Sequence, residues 1–180
     1  MAGKQLSGMR VNYAGGPFAE GNIEGGPLHL FATWLHDVSA LGIAEPNAMA
    51  VATATAAGVP SVRTVLLKDI SEAGAVFYTN YSSRKGRELD ENPHAAAVML
   101  WHEVGRQVRF EGSVTKLPAQ QSDEYFLTRP RGSRISAIAS PQSQPVADRA
   151  ELEQRWEAAQ SLADERPNDW GGYLIEIQRW

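Results

Sequence analysis

Residues 63–85, RTVLLKDISEAGAVFYTNYSSRK, decide how the rest of the chain is read. An apolar run at 62–68 has strand character, 69–74 reads as a turn, 75–79 is a second apolar strand, and Ser-Ser-Arg-Lys follows as the mouth of a helix. Four basic side chains, Arg63, Lys68, Arg84 and Lys85, punctuate a hairpin otherwise built for burial. Ser82 and Ser83 are good N-cap residues, and a short helix over 83–91 is stopped by Asn92-Pro93. Two cations in a first helical turn oppose the helix dipole unless an anion is bound there, so the pattern points to a phosphate. On this stretch alone the other reading stays open, that Arg84 and Lys85 extend into water.

Working outward, residues 48–55 (AMAVATAT) alternate and form a strand that Gly58 and Pro60 turn into the hairpin. Downstream, 95–101 (AAAVMLW) is a continuous apolar run expected in the middle of a sheet with both faces covered, and 106–116 (RQVRFEGSVTK) alternates again. Five strands joined mainly by short turns predict an antiparallel sheet closed as a barrel, because closure removes exposed edges. Upstream, Leu28, Phe31, Leu35, Val38 and Leu41 recur at helical spacing between Pro27 and Gly42, an amphipathic helix lying on the core. Residues 1–27, rich in Gly and polar residues, form an arm, which composition alone reads as a disordered terminus.

The second half is mostly helical. Pro118 opens a helix to about Thr128, Arg129-Pro130-Arg131 breaks it, residues 133–140 form another, and an amphipathic helix over 148–164 carries Leu152, Trp156 and Ala159 toward the core. Residues 170–178 (WGGYLIEIQ) make a last strand with Tyr173, Ile175 and Ile177 on one face. The expected class is therefore α+β, mainly β with peripheral helices, with residues 28–180 as one domain behind the 1–27 arm.

Composition bounds the function. A chain of 180 residues with 43% hydrophobic content sustains one well-buried domain. A net charge of −4 argues against a nucleic-acid surface, and the local basic clusters favour small anionic ligands. Zero cysteines exclude disulfides, thiolate metal sites and cysteine nucleophiles. His29 and His36 share a helix side without further ligands, so no metal is expected. No secretory h-region or membrane span is evident, which makes the cytoplasm the expected location.

RTVLLK, FYTN, SSRK, RQV, EYF with RPRGS, SPQS and WGGY, in that order and spacing, resemble the pyridoxamine 5′-phosphate oxidase family across residues 9–178. The resemblance implies an antiparallel FMN-binding split β-barrel, homodimeric, with two flavins at the subunit interface. FMN contacts carried over by motif are Arg63, Thr64, Val65, Leu66 and Lys68, Tyr78 and Thr79, and Arg84 and Lys85, with Gln107, Gln142 and Ser143 from the other side of the interface. Substrate phosphate falls to Lys68, Tyr125, Arg129 and Ser133, and Arg10 and Tyr13 keep a spacing that in the family folds over the substrate as a lid. For Val65 and Leu66, core packing is an equally good account.

The implied reaction is hydride transfer from the substrate 4′ carbon to flavin, followed by reoxidation with O2 to give hydrogen peroxide; no acid–base triad is needed and none is evident. The family continues past the last strand into a tryptophan that touches FMN and then an Arg-x-His segment. The sequence ends at Trp180, aligned just short of that tryptophan, and a chain without the segment is expected to bind FMN and turn over poorly. Two alternatives belong beside the oxidase: a related flavin oxidase of the phenazine-biosynthesis type acting on another reduced ring, and a non-catalytic binder of FMN or pyridoxal phosphate.

Overall fold

The computed structural model describes residues 8–9 and 23–180. Its core is one seven-stranded sheet in which every neighbouring pair is antiparallel, built from β1 (Ala48–Ala54), β2 (Pro60–Leu66), β3 (Asp69–Ser71), β4 (Gly74–Asn80), β5 (His94–Trp101), β6 (Arg106–Lys116) and β7 (Trp170–Arg179). The order is β2-β1-β5-β6-β7-β4-β3. Its two end strands, β2 and β3, are consecutive in the chain and joined only by Leu67 and Lys68. Three Cα steps span at most about 11 Å, so the sheet has to curl until its ends approach. Lys68 N–H donates to the Val76 carbonyl (2.8 Å) at that junction, but no ladder joins β2 to β3 or β4. The expected closed barrel is thus a curled sheet with a split.

Helix α1 (Gly26–Ala40) buries Phe31 and Val38 into the sheet's hydrophobic core beside Met49, Val51, Phe77, Met99, Phe110, Tyr173 and Ile175. Leu41, expected on its apolar face, lies one residue beyond the helix and is exposed. β5 sits between β1 and β6 as expected, yet only one of its faces is covered: Ala95, Ala97, Met99 and Trp101 are buried, while Ala96 and Leu100 are exposed. Its apolar continuity therefore does not mean burial on both sides.

Helix α2 (Arg84–Glu91) starts where expected. Ser83 is its N-cap, and its hydroxyl accepts from the Gly86 N–H at 3.3 Å. Position 86 must be glycine, because a Cβ there would lie 1.9 Å from the Tyr81 carbonyl oxygen. Helices α3 (Ala119–Thr128) and α4 (Arg131–Ala139) are separated at Arg129-Pro130, and α5 (Arg149–Ala159) follows. α4 and α5 share a small second core of Ile135, Ala139, Ala159 and Ala163. Only Ala159 of α5 is buried; Leu152 and Trp156, expected to face the core, are each more than a third exposed.

Candidate active site

The sheet junction, the mouth of α2 and helices α3 and α4 enclose a cavity of about 570 Å³. Thr64, Val65, Leu66 and Lys68 line it from the β2 side, Tyr78, Thr79 and Asn80 from β4, and Lys85 from α2. Tyr125, Thr128 and Arg129 reach it from the end of α3, Ser133 and Ser136 from α4, and Gln142 and Trp170 from the flanking loop and β7. Among the sequence-predicted residues, eleven positions from six separate segments therefore converge on one space. Of the described residues, no group of three His, Asp or Glu side chains is arranged to hold a metal.

One end of the cavity is built around Lys85. Its ammonium, 4% exposed, donates to Thr79 Oγ1 (2.9 Å), Gln142 Oε1 (2.8 Å) and Ser83 Oγ (3.3 Å). Burial, and secondarily the nearby Arg63 charge, lowers its pKa to about 8. Gln142 thus reaches Lys85 within its own chain. Ser143, at φ 65°, follows in the same loop without lining the cavity.

Arg63 and Arg84 stand behind this end, gathered by a carboxylate that the sequence motifs do not single out. Glu88, 3% exposed, accepts from Arg84 Nε (2.8 Å), Arg63 Nη2 (3.4 Å), and the Thr53 and Ser61 hydroxyls. Burial alone would raise its pKa, but those four hydrogen bonds together outweigh it and hold the carboxyl at about 2. Two arginines on one carboxylate, with the Lys85 ammonium hydrogen-bonded only to neutral groups, leave this end net positive, the charge balance an anionic group requires.

Another part of the lining is aromatic and cationic. Tyr125 stacks on Tyr78 with ring centroids 3.8 Å apart, and Trp170 lies nearly parallel to Tyr125, 3° between planes. The Arg129 guanidinium sits 4.7 Å over the Trp170 ring, and its Nη1 is buried without a hydrogen-bond partner. Burial lowers the Arg129 pKa. Arg129 lines a cavity that also presents Lys68, Tyr125 and Ser133, and a guanidinium there with an unsatisfied buried nitrogen fits a phosphate as its missing acceptor.

Gln107 does not join the cavity. In β6 it pairs with Leu100, and cross-strand register puts it on the outer face with Ala96, Val98 and Leu100, away from the curled interior. Arg10 and Tyr13 lie outside the described residues.

A family model described as pyridoxamine 5′-phosphate oxidase matches residues 36–163. The pyridoxine/pyridoxamine 5′-phosphate oxidase of Salinibacter ruber is 44% identical over 184 aligned residues, covering 98% of this chain and 86% of that one. This chain belongs to the pyridoxamine 5′-phosphate oxidase family. Its Bordetella pertussis relative of the same name is 45% identical, with 97% and 84% covered. Among solved structures, PhzG from Burkholderia lata 383, in complex with tetrahydrophenazine-1-carboxylic acid, superposes with a TM-score of 0.83 at 29% identity, covering 91% of this chain and 83% of that one. A pyridoxamine 5′-phosphate oxidase-related, FMN-binding protein from Nostoc punctiforme PCC 73102 superposes at 0.69 with 16% identity, covering 83% and 78%, and shows the shared split-barrel fold.

Close packing accounts for WGGY, a segment that resembles a family motif but to which no site residue is assigned. Gly171 and Gly172 let β7 pass under its neighbours: a Cβ on Gly171 would lie 2.1 Å from Tyr81 Oη, and one on Gly172 2.5 Å from Leu117 Cδ1. The sequence signal for Trp170 was its place before these glycines at the start of an alternating strand, which by itself reads as core.

Proposed function

We propose that this chain is an FMN-dependent oxidase that converts pyridoxine or pyridoxamine 5′-phosphate to pyridoxal 5′-phosphate, with O2 as final acceptor and hydrogen peroxide as by-product. The observation that carries the proposal is a cavity lined by two cations with different surroundings, Lys85 hydrogen-bonded by Thr79, Ser83 and Gln142, and Arg129 over the Trp170 ring with an unpartnered nitrogen. A flavin phosphate and a substrate phosphate are two anions that must be held apart while their rings meet. Lys85 and Arg84 are the groups for the flavin phosphate; Lys68, Tyr125, Arg129 and Ser133 are those for the substrate phosphate.

Bound FMN supplies a two-electron acceptor that dioxygen restores. The chain's own work is to bind and orient: Thr64, Val65 and Leu66 offer the edge of β2 along the cavity, and Tyr78 and Thr79 offer β4. Homodimerisation is part of the proposal, since Gln107, on the outer face, can serve a flavin only from a second copy. A cytoplasmic location accords with the absence, among the described residues, of any helix long and apolar enough to cross a membrane.

The likeness to PhzG favours one second reading, an oxidase acting on a reduced carboxylated ring. The Lys68, Tyr125, Arg129 and Ser133 cluster weighs against it, because a single ring carboxylate does not need four phosphate-type donors. The test is oxidation of pyridoxine 5′-phosphate by the 180-residue chain in air with excess FMN. Slow but sustained formation of pyridoxal 5′-phosphate with equimolar peroxide is expected, and a reduced phenazine carboxylate should compete weakly. Bound flavin with no turnover of either phosphorylated vitamer would overturn the oxidase assignment in favour of a binding protein.

A further inference from the structure

We infer that Trp170 is a positioning residue for phosphate selectivity: its indole is the floor that holds the Arg129 guanidinium, and the Tyr125 ring beside it, in place for a phosphorylated substrate. The inference rests on the proposed substrate-phosphate site and adds a residue to which no ligand contact was assigned.

Arg129 is the C-cap of α3, immediately before Pro130, so its backbone is fixed in an extended conformation while its long side chain keeps many rotamers. Neither ion pair nor hydrogen bond anchors the buried Nη1. What holds the guanidinium is ring faces: Trp170 at 4.7 Å and, more distantly, Phe126 at 5.9 Å. A π face attracts the cation without consuming its N–H donors, which stay available to an anion; a carboxylate in the same place would neutralise them. Trp170 also lies 5.5 Å from Tyr78 with planes 15° apart, so Tyr125, Tyr78 and Trp170 form one set of near-parallel rings.

The indole is itself rigidly held. Trp170 is 5% exposed, and its ring meets Phe126 edge-on at 5.2 Å. Its carbonyl accepts from Arg166, whose Nε donates to Asp123 of α3 at 2.6 Å, and the Gly172 N–H donates to Ser122 Oγ, also on α3, at 3.1 Å. The start of β7 is thereby clamped to the helix that carries Tyr125 and Arg129, and ring and guanidinium share one rigid frame.

The experiment titrates FMN-loaded wild type, Trp170→Leu, Trp170→Phe, Arg129→Ala and the Trp170→Leu/Arg129→Ala double variant with pyridoxal 5′-phosphate and with unphosphorylated pyridoxal. Wild type should prefer the phosphorylated ligand strongly. Trp170→Leu, which stays apolar but loses the π face, should lose about tenfold of that preference with its flavin content unchanged. Trp170→Phe should recover most of the loss, and the double variant should be no worse than Arg129→Ala alone, because Trp170 acts through Arg129. Trp170→Leu with wild-type preference, or additive losses in the double variant, would overturn the inference while leaving the phosphate site standing. A wild type indifferent to the phosphate would instead overturn the site itself, and the inference with it.

Discussion

Lys85 shows how a single side chain ties fold to ligand. A pKa brought from 10.5 to about 8 corresponds to roughly 3 kcal/mol by which the folded protein, without an anion, disfavours the ammonium. The sign follows directly. Below pH 8 the amine is charged in both folded and unfolded chains and the full penalty is present; between about 8 and 10.5 the folded form sheds the proton first and the penalty fades. An anion beside Lys85 restores the charged form, so anion binding takes up a proton above pH 8. FMN affinity should therefore be level from pH 6.5 to 7.5 and fall as pH rises from 8 to 9.5, whereas Lys85→Met should bind more weakly at low pH and lose that slope. Flavin fluorescence titration at several pH values reads both, and a wild-type affinity that is flat to pH 9.5 would remove Lys85 from the phosphate site. Lys68 and Lys85 are legible in the sequence because cations in a hairpin built for burial need a reason, whereas Arg129 reads as part of a helix break and gains its role only from the family resemblance. Glu88 is not legible: an acidic residue in a polar helix of eight residues reads as solvated, and only folding brings Thr53, Ser61 and Arg63 around it.

At the scale of elements, α2 is the most sharply specified piece. Its start is set by Ser83, its end by Asn92-Pro93, and its approach to the preceding turn by Gly86, which is why both ends were legible. Gly86→Ala would drive a methyl group into the Tyr81 carbonyl at 1.9 Å, a backbone contact that no rotamer change relieves. We expect a loss of about 2 kcal/mol or more, together with flavin retention, since Arg84 and Lys85 ride on the displaced turn. Gly132→Ala in α4 is the contrasting substitution: its Cβ would meet nothing closer than 3.9 Å, so helix propensity should leave stability unchanged or raise it by about 0.5–1 kcal/mol. Thermal denaturation with flavin release compares the two, and equal effects would show that the Tyr81 contact is not what fixes the helix mouth. Other elements were less legible for physical reasons. β3 spans three residues, too short for an alternating pattern, so 69–74 reads as a turn; Leu152 and Trp156 have helical spacing but stay more than a third exposed, since the apolar cluster beneath α5 takes up only Ala159 of the helix.

For the whole molecule, curl and split follow from chain order, because the end strands of the sheet are adjacent in sequence. The same curl leaves an outer face that composition could not disclose, since β5 is apolar on both sides. Register places Val62, Ala52, Ala96 and Glu111 in one cross-strand row, and Thr64, Ala50, Val98 and Arg109 in the next. Val62 is 67% exposed and Leu100, beside Gln107, is 62% exposed. Thr64 belongs both to this face and to the cavity lining, so the two surfaces are continuous. An apolar sheet face adjoining a ligand cavity is what a partner that completes the site would cover. A second copy of this chain answers that description, because it would bring its own Gln107 to the same face. Leu100→Glu places a charge on that face, beside Gln107, without touching the core. It should convert a dimer at micromolar concentration into a monomer by sedimentation, and lower flavin affinity by at least tenfold through loss of the partner's groups. If the variant sediments as wild type, or becomes monomeric with undiminished flavin affinity, then one chain holds its flavin unaided and Gln107 has no part in it.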